Sequence, residues 1–120
     1  MLKYPFVLFL SLILVLNACR SVDCDSLPKS YSSYENAIET IESANFKIVD
    51  DANTIRSSWI KSASYYSCNG ITGYFIITTN TQKYIHEGVP LSVWQRFKDA
   101  ESFGSYYDNN IRHKFIFKLN

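Results

Sequence analysis

Histidine is nearly missing from this chain. Only His86 and His113 occur among 120 residues, and neither has a cysteine or carboxylate at ligand spacing, so no metal site is expected. Enzyme signatures are missing as well: there is no Gly-x-Ser-x-Gly elbow, phosphate loop, His-Glu-x-x-His helix or Cys-x-x-Cys pair. No catalytic residue and no cofactor is therefore assigned, and the chain is read as a non-enzyme. Cys68, followed directly by Asn69-Gly70, suits a disulfide or packing better than nucleophilic attack. An excess of one charge is also lacking. With Lys3 set aside, 11 basic residues face 11 acidic ones, which disfavours nucleic acid, a partner bound through surplus Lys and Arg. A membrane-spanning run is absent too. The apolar stretch from Tyr4 to Leu16 reaches roughly 20 Å as a helix, against about 30 Å of bilayer core.

What that stretch does fit is targeting. Lys3 gives a positive start, and the run ends at Leu16-Asn17-Ala18-Cys19. A large aliphatic at −3 and a small residue at −1 before cysteine resemble the bacterial lipobox, which implies a lipoprotein signal peptide over residues 1–18 and acylation of Cys19. An ordinary signal peptide cut near Ala18 is the other reading. Two or three acyl chains, at about 0.8 kcal/mol per buried CH₂, suffice for stable membrane attachment. Arg20 stands where inner-membrane retention uses aspartate, so the outer membrane of a bacterial cell envelope is favoured over the inner. Cys24 and Cys68 then remain, either as two thiols or as a disulfide in an oxidising compartment. Such a bridge would close a loop worth about 3–4 kcal/mol in the chain-entropy model.

Residues 19–30 are short and polar and read as a lipidated tether. Ser32 and Glu35 fit a capping box, and Tyr34, Ala37, Ile38 and Ile41 recur at helical spacing, giving a helix from Ser33 to Ala44 that stops at Asn45 in the left-handed conformation. Phe46, Ile48 and Val49 then make a short strand before the polar turn Asp50-Asp51-Ala52-Asn53. This extension occupies residues 31–54. Residues 55–120 form a second block: a strand from Trp59 to Tyr66, a turn at Asn69-Gly70, a strand from Gly73 to Thr78 and its partner Lys83 to His86. A helix starting at Ser92, with Val93, Trp94, Phe97 and Ala100 as its apolar stripe, follows. Phe115, Phe117 and Leu119 alternate with Lys114, Ile116 and Lys118 as a closing strand. The expected class is α+β: a small antiparallel sheet with one packed helix in the order β-β-β-α-β, preceded by an N-terminal helix and short strand. Charge separates the blocks, with three basic and seven acidic residues over 20–55 and eight against four over 56–120.

Four pieces of the second block form an ordered set: Ser57-Ser58-Trp59-Ile60, Tyr84-x-His86-x-Gly88-Val89-Pro90, Ala100-x-Ser102-x-Gly104-x-Tyr106-Tyr107, and Asn110-Ile111-Arg112. Together they resemble the KTSC domain family, from Ile55 to about Leu119. That family occurs at the C-terminus of some lysyl-tRNA synthetases and as free-standing bacterial proteins. Its synthetase setting implies an RNA-binding role, although an envelope lipoprotein meets little tRNA. His86 departs from the family's Tyr-x-Tyr and replaces an aromatic with a ring that titrates near neutrality.

The candidate ligand-binding residues are Trp59, Tyr65, Tyr84, His86 and Arg112. Tyr84 and His86 share one strand face, so if Ile85 is core, both rings are displayed beside Trp59, Tyr65 and Arg112. Arg112 suits a carboxylate, either internal, such as Asp99 or Glu101, or a ligand's. Ser102-x-Gly104 and Asn110-Ile111-Arg112 read as turn and capping chemistry, with Gly104 at positive φ. The leading expectation is a membrane-anchored, non-catalytic binding module for a protein segment or polymer at the envelope. A structural or inhibitory lipoprotein that docks on a protein complex is the alternative, and an RNA-binding module the further one.

Overall fold

Four strands send their side chains alternately to two covered faces. The computed structural model describes residues 21–119; the expected signal peptide and Cys19 lie outside them. Strands β1 (Ile48–Ala52), β2 (Ile60–Ser67), β3 (Thr72–Thr79) and β4 (Lys83–Pro90) form one antiparallel sheet in sequence order. Three helices pack on it: α1 (Tyr34–Ser43), α2 (Leu91–Asp99) and α3 (Phe103–Asn110). The expected α+β class with an antiparallel sheet is what the chain forms.

Neighbouring strand residues point opposite ways, which divides the core in two. Tyr65, Phe75, Ile77 and Val89 meet Trp94 and Phe97 of α2 and Tyr107 of α3. Tyr66, Ile76 and Ile85 meet Ala37 and Ile41 of α1, together with Tyr31. Because both faces are covered, β3 can carry Phe75-Ile76-Ile77 as an unbroken apolar run rather than an alternating one. The β2–β3 turn uses the expected Asn69-Gly70 chemistry. Gly70 takes φ 77°, and Asn69 Oδ1 accepts from the backbone N–H groups of Ile71 (2.8 Å) and Thr72 (3.0 Å).

Several local expectations are corrected. Ser33, not Ser32, caps α1, its Oγ accepting from Asn36 N–H at 3.0 Å. No described non-glycine residue has positive φ, so Asn45 does not end the helix in the left-handed region. Its N–H instead donates to Val22 O (2.8 Å), and its carbonyl accepts from Cys24 N–H (2.9 Å). Those bonds, with a 3₁₀ turn at Cys24–Ser26, stitch part of the expected tether onto the fold. Cys24 and Cys68 are joined as a disulfide, their Cα atoms 5.8 Å apart. Asp50 to Ala52 belong to β1 rather than to a turn, since they pair with Ala63 to Tyr65 of β2. Helix α2 begins directly after Pro90, which supplies no side-chain cap, and not at Ser92.

The largest difference lies at the C-terminal end. Phe115 to Leu119 make no strand. The edge of β4 that a fifth strand would pair with is already occupied: the Tyr34 hydroxyl accepts from Ile85 N–H and donates to Ile85 O. The segment instead wraps the edge, so that Phe115 packs on one core and Phe117 on the other. The residues read as turns before it form α3, with Ser102 as N-cap accepting from Ser105 N–H at 3.2 Å. The block thus ends β-β-β-α-α, and the sheet's fourth strand is β1 from the extension.

Two ion pairs cross between the acidic and basic blocks: Lys83–Glu42 (3.1 Å) and Lys98–Asp50 (2.6 Å). Lys98, with the Trp94 indole next, holds the Asp50 carboxyl below the usual carboxylate range. Exposed pairs of this kind contribute about 0–1 kcal/mol each. They orient the blocks, while the apolar cores supply the stability.

Candidate functional site

Trp59 precedes β2, Tyr84 lies near the start of β4, and Arg112 follows α3. Distant in sequence, they line one depression of about 440 Å³, closed by Asn80 and Thr81 of the β3–β4 turn and by Tyr107. The antiparallel β2–β3 and β3–β4 pairings bring the start of β2, the β3–β4 turn and the start of β4 to the same end of the sheet. The Trp59 and Tyr107 rings meet edge to face at 6.2 Å. Gly104 is required here for closeness and not for a positive φ: a Cβ on it would sit 2.8 Å from Trp59 Nε1. The half-buried indole is thereby held against α3 with one side turned to the depression.

Two of the five expected ligand residues are internal. Tyr65 is fully buried, stacks on Trp94 at 5.5 Å and donates its hydroxyl proton to Val89 O at 2.7 Å. His86 is 5% exposed. The condition for display, a buried Ile85, is met, yet the opposite row is covered too, because α2 and α3 close the second face.

His86 has a definite arrangement. Nδ1 lies 2.8 Å from Phe115 O, which can only accept, so Nδ1 carries the proton. Nε2 then accepts from the Tyr107 hydroxyl at 2.7 Å. Burial above all pushes the Tyr107 phenol up, which keeps its proton available for this bond. Burial likewise holds His86 below its ordinary value; the Phe115 carbonyl acts in the opposite direction, and the charges of Arg112 and His113 add to the lowering. Both ring nitrogens are engaged, which leaves neither for a metal ion or a substrate proton. His113 is exposed.

A pH dependence follows. A histidine whose folded pKa lies below its unfolded value contributes stability that is whole above pH 6.5 and declines as pH falls below it, by at most about 1.4 kcal/mol per pH unit. We expect the melting temperature to drop between pH 6.5 and 5, and His86→Gln, which retains an acceptor, to flatten that drop. Equal slopes for the two proteins would remove His86 as the cause.

Arg112 pairs with neither Asp99 nor Glu101. Its Nη1 meets Asp108 Oδ1 at 3.2 Å, one helical turn back. Both side chains are about half exposed, so the pair is weak and the guanidinium can exchange Asp108 for a ligand carboxylate. Glu101 and Ala100 instead offer their carbonyls to Arg56, which lies 4.5 Å over the Phe103 ring. The depression thus combines an indole, two phenol rings and one cation, a set suited to stacking on a planar group while holding a carboxylate. Tyr107 and Asp108 were missed from sequence. Their signal was the spacing Phe103, Tyr107, Ile111 with Asp108 and Arg112 four apart, which is the stripe and ion pair of a helix.

Neither the curated proteins nor the solved structures hold a match to this chain. The family model of the KTSC domain matches residues 56–115, sixty of the 120. That span contains β2, β3, β4, α2, α3 and every residue of the depression, while α1, β1 and the disulfide partner Cys24 lie outside it. The ordered motifs from Ser57 to Arg112 all lie within that match, and because it covers half of the chain, the chain belongs to the KTSC domain family.

Proposed function

We propose that this chain is a non-catalytic binding module, held by a lipid on Cys19 at a bacterial envelope membrane, whose Trp59–Tyr84–Arg112 depression takes a segment of a protein or polymer. The observation that carries the reading is the convergence of those three side chains, from three separate segments of the chain, on one open depression. The engagement of both His86 nitrogens supports a binding role over a catalytic one. The disulfide supports an oxidising compartment. No helix among the described residues is long and apolar enough to cross a membrane, so attachment rests on the lipobox-like residues Leu16 to Cys19. The family's suggested RNA role has less support, since with Lys3 set aside 11 basic residues face 11 acidic ones and leave no surplus positive charge.

Crosslinking in native membranes tests this. The wild-type chain should capture a defined partner, and Arg112→Ala should weaken that capture about tenfold, the loss typical of one charge-assisted hydrogen bond. Identical capture by both proteins would mean that the contact lies elsewhere.

A further inference from the structure

The chain joins the fold much closer to Cys19 than a free tether over residues 19–30 would allow. Such a tether would let the domain stand as much as about 40 Å from its lipid. Instead, Val22 O accepts from Asn45 N–H at 2.8 Å, Asp23 bridges Asn45, and Cys24 is covalently joined to Cys68. Cys19 stands three positions before Val22, which keeps the two within about 11 Å of each other.

This short link meets the fold at one end of the sheet. Cys68 directly follows β2 and Trp59 directly precedes it. At about 3.3 Å per strand residue, the two lie roughly 30 Å apart. The start of β1, the β2–β3 turn and the start of α2 gather at the Cys68 end. The pairs Ile48–Ser67 and Thr72–Pro90 bring them there, together with the bond from Leu91 N–H to Ile71 O at 2.9 Å. The Trp59–Tyr84–Arg112 depression occupies the other end.

The linked end displays apolar side chains. Ile71, in the β2–β3 turn, is 69% exposed, and Val22, bonded to Asn45, is 52% exposed. Ile116, which lines one hollow with Cys24, Cys68 and Asn69, is 61% exposed. Three of the six large hydrophobic residues left exposed among the described residues thus stand around the bridge. Exposed apolar residues are ordinary when scattered singly, whereas a group of them marks a contact surface. The charges beside them are Lys29, Lys47 and Lys118 against Asp23, Asp25 and Glu87, equal in number. Such a surface has no surplus charge to draw a polyanion, and the short link puts a lipid surface within its reach.

We propose that this end of the sheet, with Ile71 and Val22 foremost, rests in the headgroup region of the bilayer that holds the Cys19 lipid. The inference rests on that lipid and adds an orientation to it. Isoleucine and valine side chains entering the interface gain in proportion to the apolar area they remove from water. The Cys24–Cys68 bridge fixes the pose by keeping the free link short. The depression then opens away from the membrane, toward partners in the aqueous compartment.

The full chain, purified from bacterial membranes and placed in phosphatidylethanolamine vesicles that contain a photoactivatable diazirine lipid, tests the pose. The mass of its N-terminal peptide first reports whether Cys19 is acylated. After illumination, peptides covering residues 20–27 and 68–74 should carry most of the lipid label, and those covering 79–84 and 106–112 little. Ile71→Asp should reduce labelling of 68–74 about tenfold, the worth of one aliphatic side chain withdrawn from an apolar phase. Its melting temperature should not change, because the side chain it replaces is exposed. Adding phosphatidylglycerol should leave the pattern as it is. An unacylated Cys19 would remove the anchor and this inference with it. An acylated chain labelled equally at both ends, labelled only when anionic lipid is present, or labelled as before in Ile71→Asp would overturn the pose alone and leave the anchor standing.

Discussion

Replacing Cys24 and Cys68 together by serine is expected to lower stability by about 3–4 kcal/mol, a fall in melting temperature of more than ~10 °C for a domain of this size. The bridge spans 44 positions of chain, and a loop of that length loses much unfolded-state freedom when it is closed. It also fastens an otherwise lightly held strip. Without it, Cys24 keeps only the backbone bond to Asn45 and the short 3₁₀ turn that follows. The damage should therefore concentrate on the α1 side. Hydrogen exchange should show α1 and residues 22–27 opening first, with β2 and β3 still protected. Chemical reduction of the wild type should reproduce both effects. A double-serine variant melting within ~2 °C of wild type would sink this account.

Trp94→Ala should cost about 3–5 kcal/mol, the range for truncating a fully buried aromatic. Trp94 is wholly enclosed and stands at the centre of the ring cluster. It stacks on Tyr65 at 5.5 Å and on Phe97 at 5.8 Å, and Phe75 meets it edge to face. Its Nε1–H also donates to Asp50 Oδ2 at 2.8 Å, the same oxygen that takes Lys98. The indole thus bonds α2 to β1 across the fold. Trp94→Phe separates the two roles: it retains most of the apolar filling but loses the bond, so a smaller loss is expected. Urea denaturation of the three proteins measures both steps. If Phe were as damaging as Ala, the bond to Asp50 would outweigh the packing, contrary to this reading.

Much of the fold could be read from local chemistry. Asn69-Gly70 marks its turn because few other pairs accept φ 77° so readily. The stripes Ala37–Ile41 and Trp94–Phe97 mark the inward faces of α1 and α2 because four residues make about one helical turn. The closing strand failed for a reason of the same kind. Phe115, Phe117 and Leu119 have the period of a strand, but period alone cannot show that Tyr34, 51 positions away from Ile85, has taken the strand edge.

The site divides the same way. Trp59, Tyr84 and Arg112 were visible as chemistry, and they do share a depression. Tyr65 and His86 have the same chemistry but point inward, and nothing local distinguishes an aromatic that stacks on a ligand from one that stacks on Trp94 or bonds Tyr107.

The amino-acid order by itself determined the α+β class, the sheet strands β2 to β4, the helical stripes and the family, since each rests on periodicity, turn chemistry or motif within a short window. Only the tertiary structure decided that both sheet faces are covered, that β1 joins as the fourth strand, that Cys24 reaches Cys68, and which aromatic rings face outward. The disulfide and the covered strand edge depend on which surfaces meet across 40 or more positions, and the β1–β2 pairing on residues 11 to 19 positions apart. They are set by the mutual burial of two apolar faces and the satisfaction of particular edge groups, which no local pattern encodes.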